Sequence, residues 1–401
     1  MFSMPPHTII SPDFPPSFPS LSEGGPGSII VRAQDLIMSK SAFISSENKY
    51  SEFSHSYGLI SIRGEKIDLS LRSKISTHTE GESNAGGISL EVSELSISDE
   101  SYISNAAIHP DRKGAGGIIM IAKTITHLDD AIFGFIEIEN ELEMANIFRI
   151  QEAAKSISMN AATYITTSSA GEGNAGGIII ESQNVLLSDN SRISSESTST
   201  TGRGSAGLIE LNYLKNLGLI QDSKITTQAV NTSVPDTIIP GYLEQDRLNG
   251  MVLIGATGNI NLLNGSISSS VLGGLGNGGN LSILSKYTIL NKSQIIANAY
   301  EGNGGNIDIT ADYLIQSSDS VISASSQLGI DGNITIDAFT ENFDQQIISM
   351  ADNFLDGSKW IQTPCELRDN EYDSHFIINL KEVRPRNFSD WKPSHFTLRS
   401  N

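Results

Sequence analysis

The sequence predicts an all-β solenoid of about eleven coils, and three observations predict it. A phrase of short strand-like runs recurs at near-constant spacing. Two fixed positions of its first run are apolar in every copy. An isoleucine returns at a nearly fixed distance downstream. Residues 174–197, NAGGIIIESQNVLLSDNSRISSES, carry the phrase most cleanly. Ile178 to Ile180, Val185 to Leu187 and the single inward candidate Ile193 are separated by small polar residues and entered through a glycine pair, which predicts three brief strands joined by tight bends. One such unit cannot bury its own apolar face, so it must stack on its neighbours.

The anchor glycine two places before the first apolar position falls at Gly27, Gly58, Gly86, Gly116, Gly176, Gly207, Gly250, Gly279, Gly305 and Gly332, with Asn146 filling the remaining slot. The second and fourth residues after each anchor are apolar throughout, from Ile29 and Val31 through Phe148 and Ile150 to Ile334 and Ile336, so one face of that run points inward. The third run places Ile44, Ile75, Ile103, Ile193, Ile267 and Ile322 at a constant distance from the anchor, with Ile225 and Ile295 one residue off. Ile165 comes two residues late from Asn146, and the Gly116 copy is blurred around Ile132 and Ile136. At roughly 4.8 Å per coil the solenoid is about 50 Å long.

Taken in order, residues 1–23 read as a poorly ordered segment, rich in proline at Pro5, Pro6, Pro15, Pro16 and Pro19. Coils occupy residues 24–342. A hydroxyl two residues before the third-run isoleucine (Ser73, Ser101, Thr163, Ser191, Ser223, Ser293, Ser320) shares its parity and is expected to bond along the stack or to the bend. Asn280, Asn306 and Asn333 suggest a second ladder that satisfies backbone groups at a corner, with a ligand-binding row as the alternative. Residues 136–143 alternate acidic with other residues, as a strand with one wet face would; they lack the spacing of a calcium loop. The step of 43 residues after Gly207 makes room for a loop marked by Pro235, Asp236, Pro240, Gly241 and Tyr242. Pro235, Asp236 and Tyr242 are the candidate ligand loop, with a tolerated insertion as the competing reading. From residue 343 to 401 the composition turns aromatic and basic, with Trp360, Trp391, Lys381, Arg384 and Arg386, as expected of a cap over the last coil.

Net charge is −20, which argues against a polyanionic partner such as nucleic acid. The single cysteine, Cys365, excludes an intrachain disulfide. No apolar run is long enough for a membrane-spanning helix, and the N-terminus does not read as a secretory signal. No metal or cofactor is expected, since the seven histidines are scattered and no phosphate-cradling glycine loop is present.

The phrases GNAGGIII, GNGGNLSIL and GNGGNIDIT, with ISSES, ISSSV and ISASS, resemble the repeat region of filamentous-haemagglutinin-type exoproteins of bacterial two-partner secretion systems. Cys365 and Arg368 followed by Ser374, Phe376 and Ile377 resemble a C-terminal motif of many members, though the glycine-rich continuation is missing between Asn379 and Pro385. The resemblance spans roughly residues 24–378. It implies a right-handed, single-stranded, pectin-lyase-like parallel β-helix, secreted or on the outer cell surface. It further implies adhesion to a glycan or to a protein of a host or neighbouring cell, after export through an outer-membrane partner transporter. The family's secretion domain has no counterpart here, so the chain is expected to be the C-terminal part of a larger exoprotein, or a truncated reading frame. The alternative is a β-helix polysaccharide lyase or hydrolase, for which the best cluster is His109, Asp111, Arg112 and Lys113 near Asp129 and Asp130. That cluster reads first as a charged turn, and no catalytic activity is expected.

Overall fold

The computed structural model describes residues 2–3, 7–10, 27–48, 58–81, 84–110, 116–127, 148–199, 204–230 and 250–342. All of them belong to Met1–Gln346, the first of two units into which the chain divides. Among the described residues there is no helix. The strands form a 15-stranded sheet and a nine-stranded sheet, both made of parallel pairs, and one separate two-stranded antiparallel pair. The chain visits the two parallel sheets alternately. First and second runs of each repeat join the larger sheet, third runs join the smaller, and each strand pairs with its counterpart in the next repeat.

Parity explains what is buried. In the third runs, Ile44, Ile75, Ile103, Ile165, Ile193, Ile225, Ile267, Ile295 and Ile322 are register partners on nine successive rungs. All but Ile322 are buried, and they share one core with Leu36, Ile67, Leu95, Ile178, Ile209 and their like from the larger sheet. A core this thin is filled by the stacking of identical side chains rather than by interdigitating layers.

Glycine at the corner is a matter of space. A Cβ built on Gly305 would stand 2.0 Å from the carbonyl oxygen of Gly279, one rung before it. No side chain fits where successive backbones approach so closely. The opposite bend, just before the third run, uses another device. Pairs of residues with positive φ, such as Asp189 (54°) and Asn190 (61°) or Gln221 (55°) and Asp222 (63°), turn the chain before Ser73, Ser101, Thr163, Ser191 and Ser223. Those hydroxyls bond as expected: Ser191 Oγ donates to Ser188 O at 2.6 Å, Thr163 and Ser191 hydroxyls meet at 3.1 Å, and the Ser73 N–H donates to Ser101 Oγ at 3.0 Å. The asparagines take the structural role. The Asn306 N–H donates to Asn280 Oδ1 at 3.0 Å, and the Asn333 N–H to Asn306 Oδ1 at 3.2 Å.

Two features differ from the sequence reading. First and second runs are often one continuous strand, as in Ile88–Ile97 and Leu208–Ile220, because the bend between them is shallow enough for pairing to persist across it. The second difference is in the repeat count. Ile119–Ala122 pairs with both Ile88–Ile97 and Ile178–Glu181, so the corner glycine is Gly117 rather than Gly116, and Ile119 and Ile121 point into the core. Phe148–Glu152 is not a rung at all: it runs antiparallel to Thr124–His127, with Ile150 opposite Ile125. The chain leaves the stack at Lys123 and rejoins it for Ser156–Met159 and Tyr164–Ser169, which complete the rung begun at Gly117. Ile165 is late only when measured from Asn146. The principal path of the larger sheet still runs through eleven strands, because Asn146's strand drops out and Phe2–Ser3 pairs beside Ile29–Arg32. His7–Ile10 likewise pairs with Asp35–Met38, inside the segment expected to be poorly ordered. The expected cap, residues 343–401, lies outside the described residues, as does Cys365.

Candidate functional site

The candidate ligand-loop residues Pro235, Asp236 and Tyr242 lie outside the described residues. The flanks are described: the chain leaves the smaller sheet after Lys224–Ala229 and enters the larger sheet at Met251, just after Gly250, whose φ of 78° favours glycine. Of the proposed catalytic turn, His109 follows the strand Tyr102–Ala107 and is half-buried, while Asp111, Arg112, Lys113, Asp129 and Asp130 lie outside the described residues. Among the described residues no group of three or more His, Cys, Asp or Glu gathers as a metal site would.

Two surface features were not read from the sequence. The first lies on the outside of the smaller sheet. The residue preceding each ladder isoleucine faces solvent, and on six successive rungs it is Phe43, Lys74, Tyr102, Tyr164, Arg192 and Lys224. Each is aromatic or cationic and none is acidic. The Tyr102 and Tyr164 rings stack with centroids 4.6 Å apart and planes 8° from parallel, the Arg192 guanidinium lies 5.3 Å from the Tyr164 centroid, and Lys74 Nζ lies 5.6 Å from that of Phe43. Burial, and then the neighbouring Tyr102, pushes the Tyr164 hydroxyl above its ordinary pKa, so it remains a hydrogen-bond donor. Two residues along each strand runs a parallel column of hydroxyls, Ser45, Ser76, Ser104, Thr166, Ser194, Thr226 and Ser268, of which Ser76, Ser194 and Thr226 are buried. Several bond to the next rung, as Ser194 Oγ does to Thr166 Oγ1 at 3.0 Å.

The second feature lies outside the larger sheet. Arg32, Gln34, Arg63, Glu65, Glu91 and Lys123 contribute to an open groove of about 540 Å³. Its cations are largely committed. Arg63 donates to the buried Glu91 at 2.6 Å, and Lys123 pairs with Glu152 at 2.9 Å across the antiparallel excursion. Beside it, Met120, Ala122, Ile125, Ile179 and Leu208 form an apolar cluster on the outer face of the sheet. Glu181, two residues beyond Ile179, has its pKa raised to about 7, by burial first and by the charge of Glu210 second.

No family model, no curated protein and no solved structure matches the chain. Among the described residues no helix is long and apolar enough to cross a membrane.

Proposed function

We propose that the parallel stack is a right-handed, single-stranded β-helix and that it serves as a structural and adhesive rod outside the cell. The handedness follows the general preference of strand–crossover–strand connections for the right-handed turn. A rod of the filamentous-haemagglutinin type, exported through an outer-membrane partner transporter, accounts for the repeat phrases and for a core of stacked isoleucines. The observation that carries the adhesive role is the outer face of the smaller sheet. There the same chemistry recurs on six successive rungs, which suits an extended ligand better than a compact substrate. The candidate loop of Pro235, Asp236 and Tyr242 belongs to this reading as a second contact.

The test is attachment. Beads coated with the full chain are expected to adhere saturably to bacterial or host cell surfaces, and soluble chain should compete with them. Attachment no greater than that of albumin-coated beads on every surface tried contradicts the adhesive role.

A further inference from the structure

We propose that the outer face of the smaller sheet binds an acidic polysaccharide laid along the stack, its charged groups held at Arg192 and Lys224 and again at Lys74. This names the ligand of the adhesive rod and rests on that reading.

Arg192 and Lys224 are direct register partners on adjacent strands, and both are exposed. Like charges placed opposite one another across a strand pair repel. Among the described residues neither makes an ion pair with a carboxylate; Arg192 has only the face of Tyr164. In a chain of net charge −20, two adjacent uncompensated cations are an exception, and an anion set between them relieves the repulsion.

The polymer's chemistry follows from the rest of the face. Lys74 stands three rungs from Arg192, a separation of about 14 Å at the usual strand spacing. Between them lie Tyr102 and Tyr164; the Tyr164 ring is held between Tyr102 and Arg192, and Tyr102 stacks on Tyr164 with one face. Alongside, Ser45, Ser104, Thr166 and Ser268 keep partly exposed hydroxyls, which both donate and accept hydrogen bonds as sugar hydroxyls do, whereas Ser76, Ser194 and Thr226 are buried. The face therefore offers three cations in one column, partly exposed hydroxyls beside it, and two carboxylates, Glu47 and Glu196, two residues farther along the strands. Duplex nucleic acid, with about one charge per 1.7 Å of axis, is a poor match for three cations on five rungs. A glycan carrying one acidic group every few sugars matches the spacing of Lys74 from the Arg192–Lys224 pair.

The experiment is isothermal titration of the full chain at low salt with hyaluronate, which carries a carboxylate on alternate sugars, with chondroitin sulfate, and with neutral dextran. Saturable binding of either acidic polymer and none of dextran is expected, and the tighter of the two tells carboxylate from sulfate. Combined Arg192→Glu and Lys224→Glu should weaken binding about tenfold or more while leaving circular dichroism and melting unchanged. The conservative pair Arg192→Lys and Lys224→Arg should keep it, as should Lys286→Glu on the larger sheet. Absence of binding to both acidic polymers, equal binding of dextran, or indifference to the charge reversals overturns the proposal. If bead attachment to cells persists in that case, the adhesive reading stands and only this ligand is wrong; if attachment is absent too, both fall.

Discussion

Ile165 lies in register with Ile193 on the next rung of the smaller sheet, and both are fully buried, although 48 residues of chain separate Ile165 from its corner glycine, Gly117. The ladder thus absorbs an excursion of roughly a full repeat without losing its alignment. Inward isoleucines set the register, because a slip of one residue would turn them all to solvent.

Ile193, fully buried in the middle of the ladder, is accordingly sensitive to polarity. Ile193→Ala should cost about 2–5 kcal/mol through the cavity it leaves, and Ile193→Asp should cost more by placing a charge in a dry stack. Chemical denaturation followed by circular dichroism measures both. An Ile193→Asp chain as stable as the parent would mean that this residue faces water.

The corner glycines divide into those with no room and those with room. At Gly305 an added methyl meets a backbone oxygen at 2.0 Å, whereas at Gly177 the nearest atom is 4.0 Å away. Gly305→Ala is expected to cost about 1–3 kcal/mol by overpacking, and Gly177→Ala to be neutral or slightly stabilising. Equal melting temperatures for the two variants would contradict the close approach of successive rungs.

The antiparallel excursion is an addition to the stack rather than a part of it. Replacing residues 124–153 by a short glycine–serine link should preserve the β circular-dichroism signal. It should also lower the melting temperature and raise binding of an apolar dye, since Ile125 packs with Met120 and Ile179. Loss of all ordered β structure would instead mark the excursion as an essential rung.

Glu181 gives the fold a pH dependence of definite sign. Its folded pKa, about 7, lies above the model-compound value of 4.5, so the native state favours the protonated acid. The unfolded chain releases that proton first as pH rises. Stability is therefore undiminished below about pH 4.5, falls through the interval up to about 7, and stays reduced above it. Glu181→Gln should raise the melting temperature at pH 8 and leave it nearly unchanged at pH 4.5. A variant no more stable than the parent at pH 8 would show that the carboxylate is not strained.

Much of the core was legible in the sequence because burial constrains parity: Ile44, Ile75 and Ile103 stand at a constant distance from their glycines, and the structure pairs them. The Asn146 copy misled because Phe148, Arg149 and Ile150 alternate as a rung would. Alternation reports a strand with one buried face, and it is the same for an antiparallel hairpin as for a parallel stack. The outer column of Tyr102, Tyr164 and Arg192 was not legible either. Solvent-facing positions obey no apolar pattern, and these three come together only once Ile103, Ile165 and Ile193 are known to be neighbours.

The central claim is that six successive third runs, from Phe43–Asn48 to Lys224–Ala229, stack in parallel with one rung between Ile103 and Ile193. Spin labels at Phe43→Cys and Lys224→Cys, in a chain also carrying Cys365→Ser, measure it by double electron–electron resonance. Five steps of about 4.8 Å give a distance distribution centred near about 24 Å. A centre near about 29 Å would restore Asn146 as a rung of its own, and a broad distribution with no maximum in this range would contradict the stack itself.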